Sequence, residues 1–435
     1  MDTRKLAISI FSVAVIVTGC SGSSATTPPA TATATTALAT ATATEAASAA
    51  ASSAAPSASA GVPNVTISSF DAAMTVMPQF KALHDAGAGM VGVILPDATT
   101  SGRYISYDAP YLKQAFLAAG YTEGTDFKID NAQGVDATQL SLAQADITAG
   151  AKVLLVDPLD ATVGKQIQTI AETAGVAFIS YDRATFQGTK TYYVSFDNVQ
   201  VGKLIGDGFK QCVTDWKIAS PKVFELDGGQ DTDPNAIDFA KGYNNSIWGQ
   251  AVAQVAAGAT NTAGMTLIGE QIAKGWDNAT GGTVFTQQFT AHPTINATVE
   301  ANDGLANAVI TVLKSKAVPP KTIPTTGQDA TLQGMENVLQ GYQCGSVYKP
   351  IYLEAQAAVA LATILRAGQT PPAGLLNGKT TDPTNASVSE PAVLLVPVWV
   401  NAANMQATVI KDKFIVVADL CAAVSATVCT AAGIS

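Results

Sequence analysis

The sequence of 435 residues is 47% hydrophobic and only 13% charged, and its formal net charge is −10. A chain of this length exceeds what one hydrophobic core usually fills, so two domains or lobes are expected. The acidic balance and the lack of a Lys/Arg-rich stretch argue against nucleic acid as a partner. The two histidines, His84 and His292, are far apart, which argues against a histidine metal site or a histidine general base. The composition does not exclude an enzyme that uses carboxylates.

The N-terminus has the pattern of an export signal. Arg4 and Lys5 precede an apolar, uncharged run over 6–17, which is shorter than a membrane-spanning helix and typical of a signal-peptide core. The run ends in Val17-Thr-Gly-Cys20, which resembles the lipobox of bacterial lipoproteins. This resemblance implies a signal peptide over 1–20, with Cys20 lipidated as the first residue of the mature protein. The alternative is a buried cysteine in an ordinary signal sequence.

The next segment, 21–65, is rich in Ala, Thr and Ser. It has too few large apolar side chains to form a core, so we predict a disordered tether between the membrane and the folded part of the chain. The expected location is therefore the outer face of the cytoplasmic membrane, with the lipid as the only contact with the bilayer.

Four cysteines remain after Cys20. In an exported chain an even number predicts two disulfides, and no C-x-x-C spacing points to redox or zinc chemistry. Three pairings are open. The favoured one joins Cys421 to Cys429, which closes a short C-terminal loop, and leaves Cys212 for Cys344.

From residue 89 the chain alternates short apolar strands with amphipathic helices. The predicted strands are 89–95, 127–130, 152–156, 176–179 and 192–196. The predicted helices between them are 104–119, 137–149 and 162–174. Their apolar residues recur at helical spacing, as in Val163, Ile167 and Ile170. This pattern predicts a parallel sheet that is covered by helices on both faces.

A second series of the same kind begins near residue 198. Its predicted strands are 222–226, 265–271, 296–301, 321–326 and 341–348. Its predicted helices lie near 198–212, 236–255, 282–290, 303–316 and 330–339. A long helix over 351–366, a loop rich in Gly, Pro, Asn and Thr, and a strand over 392–400 follow. The two series predict an α/β fold of two doubly wound, Rossmann-like lobes with a cleft between them.

Several apolar strands end in small clusters of polar residues. The clearest case is Asp182 and Arg183, an acceptor beside a fork of donors directly after a buried strand. Ligands of open parallel sheets sit outside the carboxyl ends of the strands, so we expect this pair to face the cleft.

A set of short motifs resembles one protein family in order and spacing. The motifs are Val91-Gly-Val-Ile-Leu-Pro96, Tyr181-Asp-Arg183, Ser195-Phe-Asp-Asn198, Val201-Gly202, Ala301-Asn-Asp-Gly304, Thr326-Gly-Gln-Asp-Ala330 and Val347-Tyr-Lys-Pro350. Together they resemble the periplasmic sugar-binding proteins of ABC transporters, in the xylose-binding and multiple-sugar-binding branch of the ribose-type superfamily. The resemblance extends from about residue 89 to the C-terminus.

The resemblance implies a type I periplasmic binding protein fold whose lobes are joined by three crossovers, near 197–198, near 348–350 and within 394–401. The N-terminal lobe would then comprise 66–197 and 350–393, and the C-terminal lobe 198–349 and 394–435. It also implies a monomer without a cofactor that binds a monosaccharide and delivers it to membrane permease subunits, without being an enzyme.

The same resemblance implies a set of sugar-binding residues. Sugar hydroxyls both donate and accept hydrogen bonds, and ring C–H patches pack on aromatic faces, so such a site needs planar polar groups and aromatic rings. The implied residues are Arg103, Tyr104, Asp182, Arg183, Asn235, Trp276, Asn302, Asp303, Asp329 and Lys349. Two positions depart from the family pattern, because Tyr104 replaces a Trp and Pro234 replaces an Asn and removes a backbone donor next to Asn235.

Other motifs fail on inspection. Asp231-x-Asp233-x-Asn235 begins like a calcium loop, but the positions that require Gly and Glu hold Ala236 and Gly242. Gly228-Gly229 lacks the rest of a phosphate loop or dinucleotide fingerprint, and no Gly-x-Ser-x-Gly is present.

Xylose is the first choice of sugar, with glucose, galactose and arabinose open. The alternatives are an extracellular carbohydrate-active enzyme with a carboxylate pair, and a sugar-sensing subunit for a chemoreceptor or kinase.

Overall fold

The computed structural model describes residues 61–98, 102–189, 191–229, 233–250 and 255–434. The predicted signal peptide, Cys20 and residues 21–60 of the predicted tether lie outside the described residues. The tether was expected to reach residue 65, but Val65 is buried against the hydrophobic core. The packed part of the chain therefore begins before the predicted boundary.

The structure contains the following strands in chain order. They are β1 (Met90–Leu95), β2 (Phe127–Asn131), β3 (Ala151–Val156), β4 (Ala177–Tyr181), β5 (Thr191–Phe196), β6 (Lys222–Asp227), β7 (Thr266–Ile272), β8 (Ala297–Glu300), β9 (Ser346–Tyr348), β10 (Gly378–Thr381), β11 (Ser389–Leu395) and β12 (Val398–Val400).

The described α-helices separate most of these strands. They are α1 (Lys81–Ala86), α2 (Ala109–Ala118), α3 (Asp136–Thr148), α4 (Ala161–Thr173), α5 (Asn198–Asp215), α6 (Pro234–Trp248), α7 (Asn278–Ala291), α8 (Asp303–Ser315), α9 (Leu332–Gln340), α10 (Ile351–Arg366), α11 (Val417–Val424) and α12 (Ala426–Ala431). Within the described ranges, none of the helices combines the length and apolar character that crossing a bilayer requires.

The first lobe is built on a seven-stranded sheet in the order β10-β11-β5-β4-β3-β1-β2. Its neighbouring strands run parallel, apart from the edge strand β10, which is antiparallel to β11. Helices α2 and α10 pack on one face, and α3 and α4 pack on the other. This arrangement confirms the predicted parallel sheet with helices on both faces.

The second lobe contains the parallel strands β7-β6-β8 and the antiparallel pair β9-β12. Helices α5 and α6 pack against each other, and α7, α8 and α9 form a second helical layer. With the first lobe, this completes the predicted α/β fold of two lobes.

The predicted strand over 321–326 does not form. Pro324 lies within it and has no backbone N–H for a regular ladder. The segment is still held beside β8 and the chain before β9, because Thr298 N donates to Pro324 O and Cys344 N donates to Thr325 O, both at 2.9 Å. Pro324 thus prevents regular strand pairing, while the two hydrogen bonds keep the segment beside the sheet.

Other predicted boundaries shift for local reasons. The helix predicted to reach residue 255 ends at Trp248, where Gly249 takes a left-handed conformation with φ 74°. The strand predicted over 341–348 shortens to β9. The strand predicted over 392–400 divides into β11 and β12, which belong to different sheets and are separated by Val396 and Pro397.

The chain passes between the two lobes three times. It leaves the first sheet between β5 and α5, returns between β9 and α10, and leaves again between β11 and β12. Because β11 runs to Leu395, the first sheet extends two residues beyond the predicted boundary at 393. We refer to these three short connections as the hinge connections.

The described cysteines are joined as Cys212–Cys344 and Cys421–Cys429, the favoured one of the three pairings. Cys212 lies on α5 and Cys344 lies two residues before β9, so the first disulfide ties together two elements that adjoin hinge connections. The second disulfide joins α11 to α12.

The interior of the second lobe contains two glutamates, Glu225 on β6 and Glu300 on β8. The Glu300 carboxylate accepts a hydrogen bond from Thr326 N at 2.8 Å. Burial raises the pKa of each glutamate to about 8. Both side chains therefore favour the protonated form in the folded protein at neutral pH.

The two disulfides should differ in their effect on stability. The Cys212–Cys344 bond closes a loop with a sequence separation of 132, whereas Cys421–Cys429 spans 8. A longer closed loop restricts the unfolded chain more. We expect Cys212→Ala/Cys344→Ala to lower the free energy of unfolding by about 3–5 kcal/mol, and by more than the matched Cys421→Ala/Cys429→Ala variant. Denaturant unfolding under non-reducing conditions measures both, and equal losses would contradict the expected order.

Glu300 should make stability depend on pH. Its folded pKa is raised, so its contribution is complete below the pKa of the unfolded chain and is lost as pH rises toward about 8. Glutamine does not ionise, so we expect Glu300→Gln to remove this loss. The free energy of unfolding of the variant, relative to that of the natural protein, should then rise by roughly 1 kcal/mol per pH unit between about pH 5 and pH 8. Urea unfolding across this range measures the difference, and a difference that stays constant with pH would contradict the assignment.

Candidate functional site

A cavity opens between the two lobes, at the carboxyl ends of their parallel strands. The space that it encloses, including its open mouth, amounts to about 340 Å³. Its walls are formed by Arg103, Tyr104, Asp182, Arg183, Asp233, Asn235, Phe239, Trp276, Asn302, Gln328, Asp329 and Lys349. Nine of the ten residues predicted as ligand-binding therefore lie on one wall or the other, which follows from the convergence of strand ends in parallel sheets.

Asp182 forms a backbone turn in the first-lobe wall of the cavity. It directly follows β4 and has a φ of 58°, in the left-handed region that non-glycine residues rarely adopt. Its carbonyl oxygen accepts hydrogen bonds from the Tyr193 hydroxyl and from Asn235 Nδ2, both at 2.6 Å, and its N–H donates to Val194 O at 3.0 Å. These three bonds hold the turn and direct the carboxylate into the cavity.

Arg103 orients the Asp182 carboxylate. It precedes a π-helical turn that leads into α2. Its Nη1 donates to Asp182 Oδ1 at 2.9 Å, its Nε and Nη2 donate to both carboxylate oxygens of Asp108 at 2.9 and 2.7 Å, and Nη2 also donates to Glu354 Oε2 at 2.9 Å. These four bonds leave one of the five guanidinium N–H groups for the cavity.

The cations around Asp182 decide its charge state. Burial alone would raise the pKa of Asp182, but Arg103, Lys349 and Arg183 outweigh burial and hold that pKa below its ordinary value. Behind Arg103, burial raises the pKa of Glu354 to about 8 even though the guanidinium acts in the opposite direction. At neutral pH the cavity therefore presents Asp182 as an ionised acceptor, which is unsuited to act as a general acid.

Arg183 bridges the two walls. Its Nη1 donates to the carbonyl oxygens of Pro158 at 3.1 Å and Leu159 at 3.4 Å in the first lobe. Its Nε donates to Asp233 Oδ2 at 2.9 Å in the second lobe. The guanidinium also lies over the ring of Tyr104, 5.8 Å from its centroid. The two lobes are thus in direct contact across the cavity.

Asn235 makes a second bridge between the lobes. Its Nδ2 donates to the Asp182 carbonyl, and its Oδ1 accepts from Tyr193 OH at 3.2 Å and from Asn198 Nδ2 at 2.9 Å. The departure at Pro234 is accommodated because this proline occupies the first turn of α6, where its missing N–H would have no helical partner. Asp233 caps the same helix by accepting from Asn235 N at 2.8 Å.

Trp276 and Phe239 provide the aromatic part of the second-lobe wall. Their rings meet edge to face with centroids 6.2 Å apart, and Trp276 Nε1 donates to Asp233 Oδ2 at 3.1 Å. The indole lies directly over Gly228, where an added Cβ would come within 2.0 Å of Trp276 Cζ3. A glycine is therefore required at residue 228 for the ring to reach the cavity.

Lys349 stands at the second hinge connection, between the acids of both lobes. Its Nζ lies 3.5 Å from Asp182 Oδ1 and 3.6 Å from Asp329 Oδ1. Asp329 Oδ1 and Gln328 Oε1 are buried and have no hydrogen-bond partner among the described residues. Asn302 caps α8 through Leu305 N, at 2.9 Å. The hinge side of the cavity thus offers acceptors beside one cation.

Asp303 is the one predicted ligand residue that does not line the cavity, and its assignment is corrected. It is fully buried behind the wall, where its carboxylate accepts hydrogen bonds from Gln343 Nε2 at 2.8 Å, Ser346 Oγ at 2.7 Å and Thr331 N at 2.7 Å. Burial raises the pKa of Asp303 to about 7. As the first residue of α8, it turns inward while its neighbour Asn302 faces the cavity.

Three cavity residues were not among the predicted ligand residues, namely Asp233, Gln328 and Phe239. Asp233 and Gln328 stand beside predicted residues, and their position next to a strand or helix end was the available signal. Phe239 lies within α6 and has the pattern of an ordinary core residue, so nothing in the sequence distinguished it.

The described residues contain no group of three or more His, Cys, Asp or Glu side chains that could hold a metal ion. The wall carries three cations, Arg103, Arg183 and Lys349, and three carboxylates, at Asp182, Asp233 and Asp329. Their formal charges cancel, and the wall also offers many hydrogen-bonding groups together with the three aromatic rings of Tyr104, Phe239 and Trp276.

Comparison with known proteins agrees with this geometry. Residues 91–370 match the family model described as the periplasmic binding protein domain. The D-xylose-binding periplasmic protein of Escherichia coli is 29% identical over 303 residues, which cover 69% of this chain and 85% of that protein. The multiple sugar-binding periplasmic receptor ChvE of Rhizobium radiobacter is 29% identical over 358 residues, which cover 80% of this chain and 95% of that protein.

Solved structures show the same fold. A carbohydrate transporter solute-binding protein from Chloroflexus aurantiacus, in complex with D-glucose, has a TM-score of 0.63 and 24% identity, and the match covers 76% of this chain and 98% of that one. An ABC transporter solute-binding protein from Clostridium phytofermentans, with bound β-D-glucose, has a TM-score of 0.64 and 22% identity over 76% of this chain and 99% of that one. The two relatives named above are sugar-binding proteins, and the two solved structures are solute-binding proteins of transporters. Since the family model spans more than half of the sequence, this chain belongs to the periplasmic binding protein family and has the type I fold of that family.

Proposed function

We propose that this protein is a lipid-anchored extracytoplasmic binding protein that captures a monosaccharide between its lobes and delivers it to an ABC-transporter permease. The observation that carries this proposal is the cavity wall, which is shared between the two lobes and whose three cations balance three carboxylates. Burying a net charge against such a wall would be costly, whereas a neutral polyol can satisfy its donors and acceptors.

Both lobes contribute residues that contact the ligand from opposite sides of the cavity. Asp182 and Arg183 belong to the first lobe, Asp233, Trp276 and Asp329 belong to the second, and Lys349 stands on the hinge. A ligand that contacts both walls favours the closed arrangement, and the three short hinge connections absorb the backbone change. Exclusion of water strengthens each hydrogen bond and penalises a sugar whose hydroxyls do not match.

Xylose is the proposed sugar, because the D-xylose-binding protein of Escherichia coli is among the relatives that match over most of their length. The name of ChvE, a multiple sugar-binding receptor, supports a second candidate in which the same site serves a sensory partner. Attachment through Cys20 rests on the lipobox resemblance, and a shift in mass of the membrane-extracted protein that Cys20→Ser abolishes would support it.

The ligand assignment is tested by calorimetry with D-xylose, D-glucose, D-galactose and L-arabinose. We expect D-xylose to give the lowest Kd and all sugars to be recovered unchanged by NMR. D-glucuronate serves as the matched control for D-glucose, and we expect its carboxylate to weaken binding at least tenfold, because the wall has no spare positive charge. Product formation or tight glucuronate binding would contradict the proposal, and a hexose preferred tenfold over xylose would overturn the choice of sugar alone.

Trp276 should contribute to affinity by stacking on the sugar ring. We expect Trp276→Ala to weaken binding of the preferred sugar by roughly 1–2 kcal/mol, which is about 5- to 30-fold in Kd. Trp216 lies outside the cavity and is the matched control, so Trp216→Ala should leave the Kd unchanged. Equal effects of the two substitutions would place Trp276 outside the sugar contacts.

A further inference from the structure

Asp157 is a buried carboxylate that the proposed sugar contacts do not use. It directly follows β3 in the first lobe, is 0% exposed and lies behind the cavity wall. Neither of its carboxylate oxygens has a hydrogen-bond partner among the described residues. Burial raises the pKa of Asp157 well above its ordinary value, although Arg183 acts in the opposite direction. Burying a carboxyl group without a hydrogen-bond partner lowers the stability of the folded protein, so such a group often has a functional role.

The nearest cation to Asp157 is Arg183. Arg183 Nε lies 3.9 Å from Asp157 Oδ1, beyond hydrogen-bond distance, and 2.9 Å from Asp233 Oδ2. The Nη1 of the same guanidinium is held by the carbonyl oxygens of Pro158 and Leu159, which immediately follow Asp157 in the chain. Arg183 is thus anchored on the first lobe, and its ion pair with Asp233 extends to the second lobe.

This ion pair must break when the lobes separate. A guanidinium held in place on the first lobe then needs another counter-charge, because an unpaired charge in a poorly hydrated site is costly. Asp157 is on the same lobe as Arg183, and its Oδ1 is 3.9 Å from Nε, compared with 2.9 Å for Asp233 Oδ2. A small rotation of the Arg183 side chain would bring the two groups together.

We propose that Arg183 exchanges carboxylates during hinge motion, pairing with Asp233 when the cleft is closed and with Asp157 when it is open. This inference rests on the proposed ligand-driven closure. Asp157 is then a positioning residue that stabilises the open form and so sets the affinity for the ligand without contacting it. The observed affinity of such a protein depends on the fraction that is closed, so a group that favours the open form weakens binding.

The test is Asp157→Asn, measured by calorimetry with D-xylose or the tightest-binding sugar of the panel. We expect the Kd to fall about tenfold, because the open form loses its ion pair and the closed form loses an unpaired buried acid. A merely structural role would leave the Kd unchanged or raise it, and either result would overturn the proposal. The matched control is Asp146→Asn on α3, since Asp146 is equally buried and pairs with Lys128 instead. The control should leave the Kd unchanged.

A second measurement does not depend on sugar binding. The Arg183 Nε–H resonance of the ligand-free protein, assigned with Arg183→Lys, reports which carboxylate the guanidinium meets. We expect Asp157→Asn to shift this resonance and Asp233→Asn to leave it nearly unchanged. The reverse pattern would overturn the exchange of partners. If no sugar of the panel binds but the resonance behaves as expected, the proposed ligand is wrong and the exchange stands.

Discussion

The candidate site depends on one buried ion pair, between Arg103 and the Asp182 carboxylate. The two residues are 79 positions apart, and Arg103 also binds Glu354, which is 251 positions away. Three separate chain segments are therefore joined at one guanidinium. Removing either Arg103 or Asp182 would leave the other charge buried with less compensation, which is more costly than the intact pair is stabilising. The network thus acts chiefly by keeping the Asp182 carboxylate ionised and in one orientation.

Most of the fold and much of the site were predictable, because parallel sheets gather the carboxyl ends of their strands on one edge. Polar residues at those ends, such as Asp182 and Asn302, could be assigned without coordinates. The direction of individual side chains could not. Asp303 follows Asn302 directly, yet it turns into the interior toward Ser346 and Gln343, which come from a distant part of the chain.

The predictions from sequence also failed for a residue within a helix and for a segment that contains proline. Phe239 reaches the cavity from within α6, where its ring packs against Trp276 and lies beneath Lys349 Nζ. The strand predicted over 321–326 fails because Pro324 cannot donate, while tertiary contacts to Thr298 and Cys344 still hold the segment in the sheet. The contact between Phe239 and Trp276 joins residues remote in sequence, which local patterns do not record, whereas Pro324 is a local signal against a regular strand.

The polar groups around the cavity divide into two kinds, and the division determines how affinity and selectivity arise. Arg103 and Asn235 are nearly saturated by protein partners, so they shape the cavity and connect the lobes. Asp329 Oδ1 and Gln328 Oε1 have no hydrogen-bond partner among the described residues, so a ligand gains most by satisfying them. Selectivity therefore depends on these few acceptors and on the aromatic wall. Affinity depends in addition on the cross-lobe bonds of Arg183 and Asn235, which favour closure whichever ligand is present.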